Sequence, residues 1–310
     1  MNASDLLEIM CAAHLGNMVE GPFQDRGGVM LVGPPGVLKT TFVNVIDQQY
    51  HDAISLSDVN VKALIQLRDQ ISSGKINTLV LPELAKIYER NDATAKNVEG
   101  TLRALVSEGF QAASFEDSRV NRLTARAMVI AALTPPTVDA HFTGWEESGF
   151  NRRFLWVLMR LTDPLALEKA AVAWERINFR MAHIPLVPLG GTIPNKTTQR
   201  ERQRCAAMVK YQPGGDHAVQ LQVLIRILAV LRWWYAESGQ PRNAMDTIER
   251  FAPALGRTGV SLELPSGPDK VDEAMDSQMA AHNAASLLSR KRWYKKNGKR
   301  KKKRPSRSKK

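Results

Sequence analysis

Apolar and polar positions follow two rhythms along this chain. Unbroken apolar runs mark buried strands, and apolar positions recurring every three or four residues mark helices. Val29, Met30, Leu31 and Val32 form the first run, which stops at Gly33-Pro34-Pro35-Gly36, a turn that cannot continue a strand. A helix opens at Lys39-Thr40-Thr41 and runs to about Gln49. A short strand at 53–57 and a helix at 60–71 come next, then a second buried strand at 77–81 ending in Pro82-Glu83. Residues 86–108 read as helix in two pieces, 112–125 as an extended excursion or hairpin. A third apolar strand at 126–133 ends in Thr134-Pro135-Pro136, and a fourth spans 155–159. Ahead of all these, Leu6, Ile9, Met10 and Ala13 sit at helical spacing behind a cap at Ser4, predicting a lead-in helix over 2–18.

Strands alternating with helices at this spacing predict an α/β fold, a parallel sheet with helices on both faces and ligands at the strand C-terminal ends. Beyond residue 164 the pattern weakens. A helix near 167–179, a Pro/Gly-rich crossing at 184–194 and a charged helix lead to an amphipathic helix over 216–238. Its stripe is Leu221, Leu224, Leu228, Leu231 and Tyr235, and a further helix at 243–255 completes a predicted small helical lid. The expected division is a lead-in helix (1–26), a core (27–165), a connection (166–212), the lid (213–263), a linker with a short helix (264–289) and a tail (290–310).

Charge changes the picture at one end only. The net charge is +12, but the tail holds fourteen Lys or Arg and no acid, so the rest of the chain sits at −2. Such a tail predicts disorder on its own and salt-dependent binding of phosphate backbones, through Lys295, Lys296, Lys299, Arg300, Lys301, Lys302, Lys303 and Arg304. A targeting or solubilising run is the bland alternative. Two cysteines make no disulfide framework and no metal spacing. Asp5 and Glu8 stand where a secretory signal would carry cations, and the apolar stretch at 219–235 is broken by Arg226 and Arg232. A soluble, cytoplasmic protein of a bacterial or phage-infected cell, with no membrane partner, is the expectation.

Strand, Gly-rich turn, Lys-Thr and helix, in that order, make a phosphate-binding loop. In it Gly33, Pro34, Pro35, Gly36, Val37, Leu38, Lys39, Thr40 and Thr41 would cradle a polyphosphate with backbone N–H groups. Lys39 would reach the outer phosphates and the Thr40 hydroxyl would ligate Mg²⁺. Leu38 occupies the position of the motif's second glycine. An NTPase also needs an acid at the tip of a strand neighbouring the loop, and Glu83 is the candidate base for water attack on the γ-phosphate. Pro82 replaces the usual metal-side aspartate.

The stretch Arg26-Gly27-Gly28 through Lys39-Thr40 resembles R-G-D-x-x-x-L-x-G-D-P-G-x-A-K-S of the minichromosome maintenance replicative helicases, within the AAA+ class of P-loop ATPases. Pro82-Glu83-Leu84-Ala85-Lys86 is similar to that family's D-E-F-D-K, Leu123-Thr124-Ala125-Arg126 to its L-N-A-R, and Asn151-Arg152-Arg153-Phe154 to its L-S-R-F-D. The family also lacks the loop's second glycine. The resemblance covers 26–255 and implies ATP and Mg²⁺ as cofactors, and Thr134 as the sensor of the attacking water. It makes Arg153 an arginine finger supplied across a subunit boundary, with Arg152 beside it, hence a homo-oligomeric ring. Arg119 and Arg122 are the hairpin cations, Arg226 matches an arginine of the lid helix, and the partner is nucleic acid, with DNA favoured over RNA. A reduced, phage- or plasmid-type helicase or helicase loader is the implied function. A nucleotide-binding assembly protein without hydrolysis, and a virion or nucleoid structural protein, are the alternatives.

Overall fold

A computed structural model describes residues 3–23, 25–35, 37–110, 124–160, 191–255 and 260–261. The expected hairpin over 112–125 falls mostly outside this set, as do the helix near 167–179, the short helix in 264–289 and the basic tail.

The apolar runs form the sheet they predict. Strands β1 (Gly28–Val32), β2 (Ala53–Ser55), β3 (Thr78–Leu81), β4 (Met128–Leu133) and β5 (Phe154–Arg160) pair in parallel in the order β2-β3-β4-β1-β5. A two-residue strand, β6 (Val260–Ser261), adds to the far edge of β5. Every residue of β1, β3 and β4 is buried, the condition of a parallel sheet covered on both sides. Side chains alternate faces: Val29, Leu31, Ile130 and Val157 enter one core, Met30, Val32, Val129 and Trp156 the other.

Helices α3 (Val61–Ser72), α4 (Asp92–Val106) and α5 (Pro135–Ser148), with a 3₁₀ turn at Leu84–Glu89, cover the second face. Asn60 and Asn91 cap α3 and α4 through their side chains. The helix α5 is absent from the sequence reading, where Pro135-Pro136 marked only a strand's end. Both prolines instead occupy the first helical turn, where a missing N–H costs nothing. Gly149 closes α5 in the left-handed conformation.

The first face carries α1 (Ala3–Leu15), α2 (Lys39–Gln49), α6 (Gln199–Val209), α7 (Ala218–Ser238) and α8 (Ala244–Leu255). A Thr198–Glu201 capping box starts α6. Residues 213–255, expected as part of a separate lid, have no core of their own: Leu224, Leu228, Leu231, Ile248 and Phe251 share one with Leu31, Phe42 and Ile130 of the sheet layer. The Trp234-Tyr235 pair is core, as its helical register implied. The lead-in helix is central to this layer: from Asp5 to Leu15 each residue of α1 is buried.

The outer edge of β5 is closed by side-chain amides. Gln212 accepts from Trp156 N–H (2.6 Å) and donates to the Trp156 and Leu255 carbonyls (2.9 and 2.7 Å), reproducing the pairing a neighbouring strand would make. Gln220 donates to the Phe154 carbonyl (3.1 Å). Replacing Gln212 with Leu leaves one buried N–H and two carbonyls without it, so Gln212→Leu should lower stability by about 3 kcal/mol, read as a fall in the urea midpoint at unchanged slope.

A second pin lies under the starts of β2 and β3, where His14 meets Thr78 Oγ1 (2.9 Å) and Asp52 (3.2 Å). Burial alone would raise the Asp52 pKa, but the His14 and Asn77 contacts outweigh it and hold the carboxyl below its ordinary 3.8. A depressed folded pKa adds stability above that value, and the contribution disappears as pH falls through the folded pKa. Asp52→Asn should therefore melt lower than wild type at about pH 7, with the difference shrinking towards about pH 2.

Candidate phosphate-binding site

At the C-terminal end of β1 the chain turns sharply and re-enters as α2. Gly33 is buried, its N–H donates to the Leu133 carbonyl (3.2 Å), and a Cβ there would lie 2.8 Å from the Val37 side chain and 3.0 Å from Met159. The turn thus packs flush on β4 and β5 and admits no side chain at this position. Pro34 and exposed Pro35 carry the chain out, and Val37 returns it to the core at 3 % exposure. Gly36 lies outside the described residues.

Leu38 takes the left-handed conformation, with φ 60° and ψ 20°. Among the described non-glycine residues only Leu38 has a positive φ. Its side chain packs against the first-face core. Lys39 opens α2 at 8 % exposure, and its Nζ donates to the Pro34 carbonyl (2.7 Å), spanning the mouth of the turn. Burial lowers the Lys39 pKa. The first i→i−4 bond of α2 runs from Phe42 to Leu38, so the N–H groups of Lys39, Thr40 and Thr41 have no carbonyl of the helix to accept them. Thr40 is exposed at this end and Thr41 half-buried. An ammonium, a hydroxyl and a helix N-terminus converging on one turn suit a phosphate group with its Mg²⁺.

Thr134 and Glu83 stand at the ends of the next two strands. Thr134 precedes α5, and its hydroxyl shares a hydrogen bond with Thr137 (2.9 Å), a partner whose i+3 spacing was visible in the sequence. Glu83 begins the 3₁₀ turn after β3 and forms an ion pair with Lys86, both side chains about half exposed. The expectation that its strand neighbours the loop needs correction: β4 lies between β1 and β3. The ends therefore run loop, Thr134, Glu83 across three adjacent strands. No sequence signal singled out Lys86 beyond its place in the P-E-L-A-K string.

The arginines are elsewhere. Arg153 is 8 % exposed and spends its guanidinium inside the chain, on Ser107 Oγ (2.9 Å), the Gly149 carbonyl (2.8 Å) and Glu108 (3.1 Å). Those bonds brace the chain from within, where the sequence reading expected a finger for a neighbouring subunit; Arg152 beside it is exposed. Both sit at the start of β5, opposite Gly28, the far end of β1 from the loop. Arg226 is also at that far end, donating to the Arg26 carbonyl at 2 % exposure. A five-residue strand separates it from the turn by roughly 16 Å, so it does not serve the phosphate site. Arg119, Arg122 and the tail cations Lys295 to Arg304 lie outside the described residues.

A comparison with known protein families and with curated proteins finds no match for this chain.

The strain at Leu38 is testable without any ligand. Leu38→Ala and Leu38→Gly both lose the Leu packing, but only glycine relaxes at this φ. The glycine variant should be the more stable of the two by about 1 kcal/mol in chemical unfolding.

Proposed function

We propose that this chain is an ATP-binding and ATP-hydrolysing module of the AAA+ type, acting on DNA as a helicase or helicase loader. The observation that carries the nucleotide part is the row of three strand ends: a tight turn with Lys39 and Thr40 on β1, Thr134 on β4, Glu83 on β3. A triphosphate seated on the β1 turn would have Lys39 on its outer phosphates, exchanging the Pro34 carbonyl for phosphate oxygens. Mg²⁺, when bound with the nucleotide, would neutralise phosphate charge, and Thr40 is the residue to hold it. Thr134 would orient a water beside the terminal phosphate, and the Glu83 carboxylate would take the water's proton once it leaves Lys86. The DNA part is supported by the sequence resemblance and by the charge of the tail.

A second reading, nucleotide binding without turnover, is favoured by two observations at β3. Pro82 stands where a metal-side carboxylate would, and Glu83 is engaged by Lys86.

Three proteins separate the readings. MgATP at 100 times its Kd should stabilise the wild type by about 2.7 kcal/mol, visible as a raised melting temperature. Lys39→Ala should lose that shift together with phosphate release. Glu83→Gln should keep the shift and lose at least about 100-fold in phosphate release. No shift in the wild type overturns the nucleotide reading; a shift with phosphate release no greater than that of Lys39→Ala selects the second reading.

A further inference from the structure

The opposite end of the sheet gathers positive charge. The three central strands start side by side, Gly28 against Val129 and against Phe154, and an arginine precedes each: Arg26 before β1, Arg126 before β4, Arg152 and Arg153 before β5. Arg103 joins them from the last turn of α4, and Arg226 lies behind Arg26. The guanidiniums of Arg152 and Arg153 converge on Gly149: a Cβ there would lie 2.9 Å from Arg152 Nε and 3.2 Å from Arg153 Nη1.

Several of these groups are held by backbone carbonyls. Arg26 donates to the Asn17 carbonyl (3.0 Å), Arg126 to the Glu108 carbonyl (3.1 Å), and Arg103 to the Ser148 carbonyl. Arg153 and Arg226 donate to the Gly149 and Arg26 carbonyls. Carbonyls fix a guanidinium's direction without cancelling its charge. The Glu108 carboxylate pairs with Arg153, Asp25 lies near Arg226, and Glu146 and Glu147 flank the end of α5. Burial and the positive charge of neighbouring arginines together depress Arg26, Arg153 and Arg226, the last to about 9.

We propose that this arginine face at the N-terminal end of the sheet binds the phosphate backbone of a single-stranded nucleic acid. The match is chemical. Guanidinium forks suit phosphate oxygens, and carbonyls already orient those of Arg26, Arg103 and Arg126. Three strand starts span roughly 10 Å, more than one phosphate covers and suited to successive phosphates of one strand. These arginines precede residues 290–310 in the sequence, and the proposal stands on their placement at adjacent strand starts, whether or not the β1 turn binds ATP.

Arg126 and Arg152 are exposed, so replacing them spares the core. Fluorescence anisotropy with a labelled single-stranded oligonucleotide across a salt series tests the claim on the full chain, tail included. Arg126→Ser combined with Arg152→Ser should reduce the slope of log affinity against log salt by about 1.4, two phosphate contacts at about 0.7 each. Binding should weaken by about tenfold at 0.1 M salt, while Arg126→Lys with Arg152→Lys should keep the wild-type slope. The same slope in the serine pair and the wild type overturns the proposal, since the tail then carries the binding. A serine pair that binds the oligonucleotide normally but regains lost ATP hydrolysis on mixing with Lys39→Ala protein also overturns it, because the arginines then serve a neighbouring copy. Far-ultraviolet circular dichroism of both pairs guards the comparison: if the serine pair misfolds, the single Arg152→Ser protein takes its place, with an expected slope change of about 0.7.

Discussion

Everything that matters in this molecule is hung on β1, a strand paired along its whole length on both sides. Each residue from Gly28 to Val32 has a parallel partner in β4 and another in β5. The packing is tight enough that a Cβ on Gly28 would lie 2.4 Å from the Phe154 ring and 2.6 Å from the Val129 carbonyl. A strand fixed this way cannot slide or tilt, so its two ends are rigid platforms. One end delivers the Gly33 turn and Lys39, the other delivers Arg26 into a row of arginines. The two charged groups sit at opposite poles because one strand has only two ends, and a change at Gly28 would reach both.

The second constraint is the burial of α1, which ties the start of the chain to residues 235–250. Its acids are almost without solvent, Asp5 at 2 % and Glu8 at 3 %, and their partners come from far along the sequence. Asp5 accepts from Arg242 (2.8 Å) and Arg250 (3.2 Å), while Glu8 accepts from Arg242 (2.5 Å) and the Tyr235 hydroxyl (2.7 Å). Burial still raises the Glu8 pKa despite Arg242 and Tyr235, so this network is costly to hold charged. A buried pair of this kind adds little net stability over an apolar substitute, but losing one partner strands the other charge in the core. The network therefore specifies where α1 lies more than it strengthens the fold. It also ties 213–255 to the sheet layer: freeing those helices would strip both acids of their cations.

Much of this was legible, and the misses have physical causes. Strand and helix identities follow from apolar rhythm, and the α2, α3 and β3 boundaries fall within a residue or so of expectation, because Asn60 and the Gly33 turn are strong local signals. The helix α5 was hidden by Pro135-Pro136, since a proline pair ends one element and begins another with the same residues. The central position of α1 was hidden because Asp5, Glu8 and His14 look like a solvent face until distant partners are known. Strand order is a tertiary fact, so the sequence could bring Glu83 to a strand end but not set β4 between it and the loop. Arg152 and Arg153 are alike as letters; the backbone turn at Asn151–Arg153 buries one and exposes the other.

Both charged groups of the candidate site are engaged within the chain, Lys39 by the Pro34 carbonyl and Glu83 by Lys86. The Lys39 bond to the Pro34 carbonyl is a charge-assisted hydrogen bond, worth about 1.5–3 kcal/mol net. The Glu83–Lys86 pair is half exposed, and water screening leaves such pairs weak. The Pro34 carbonyl is a neutral acceptor, so its bond leaves the Lys39 charge uncancelled. Glu83 needs only a turn of its side chain away from Lys86, with no backbone rearrangement. Leu38 has the opposite character: its left-handed backbone comes with a side chain packed against the core, so it is held by apolar contact rather than by charge.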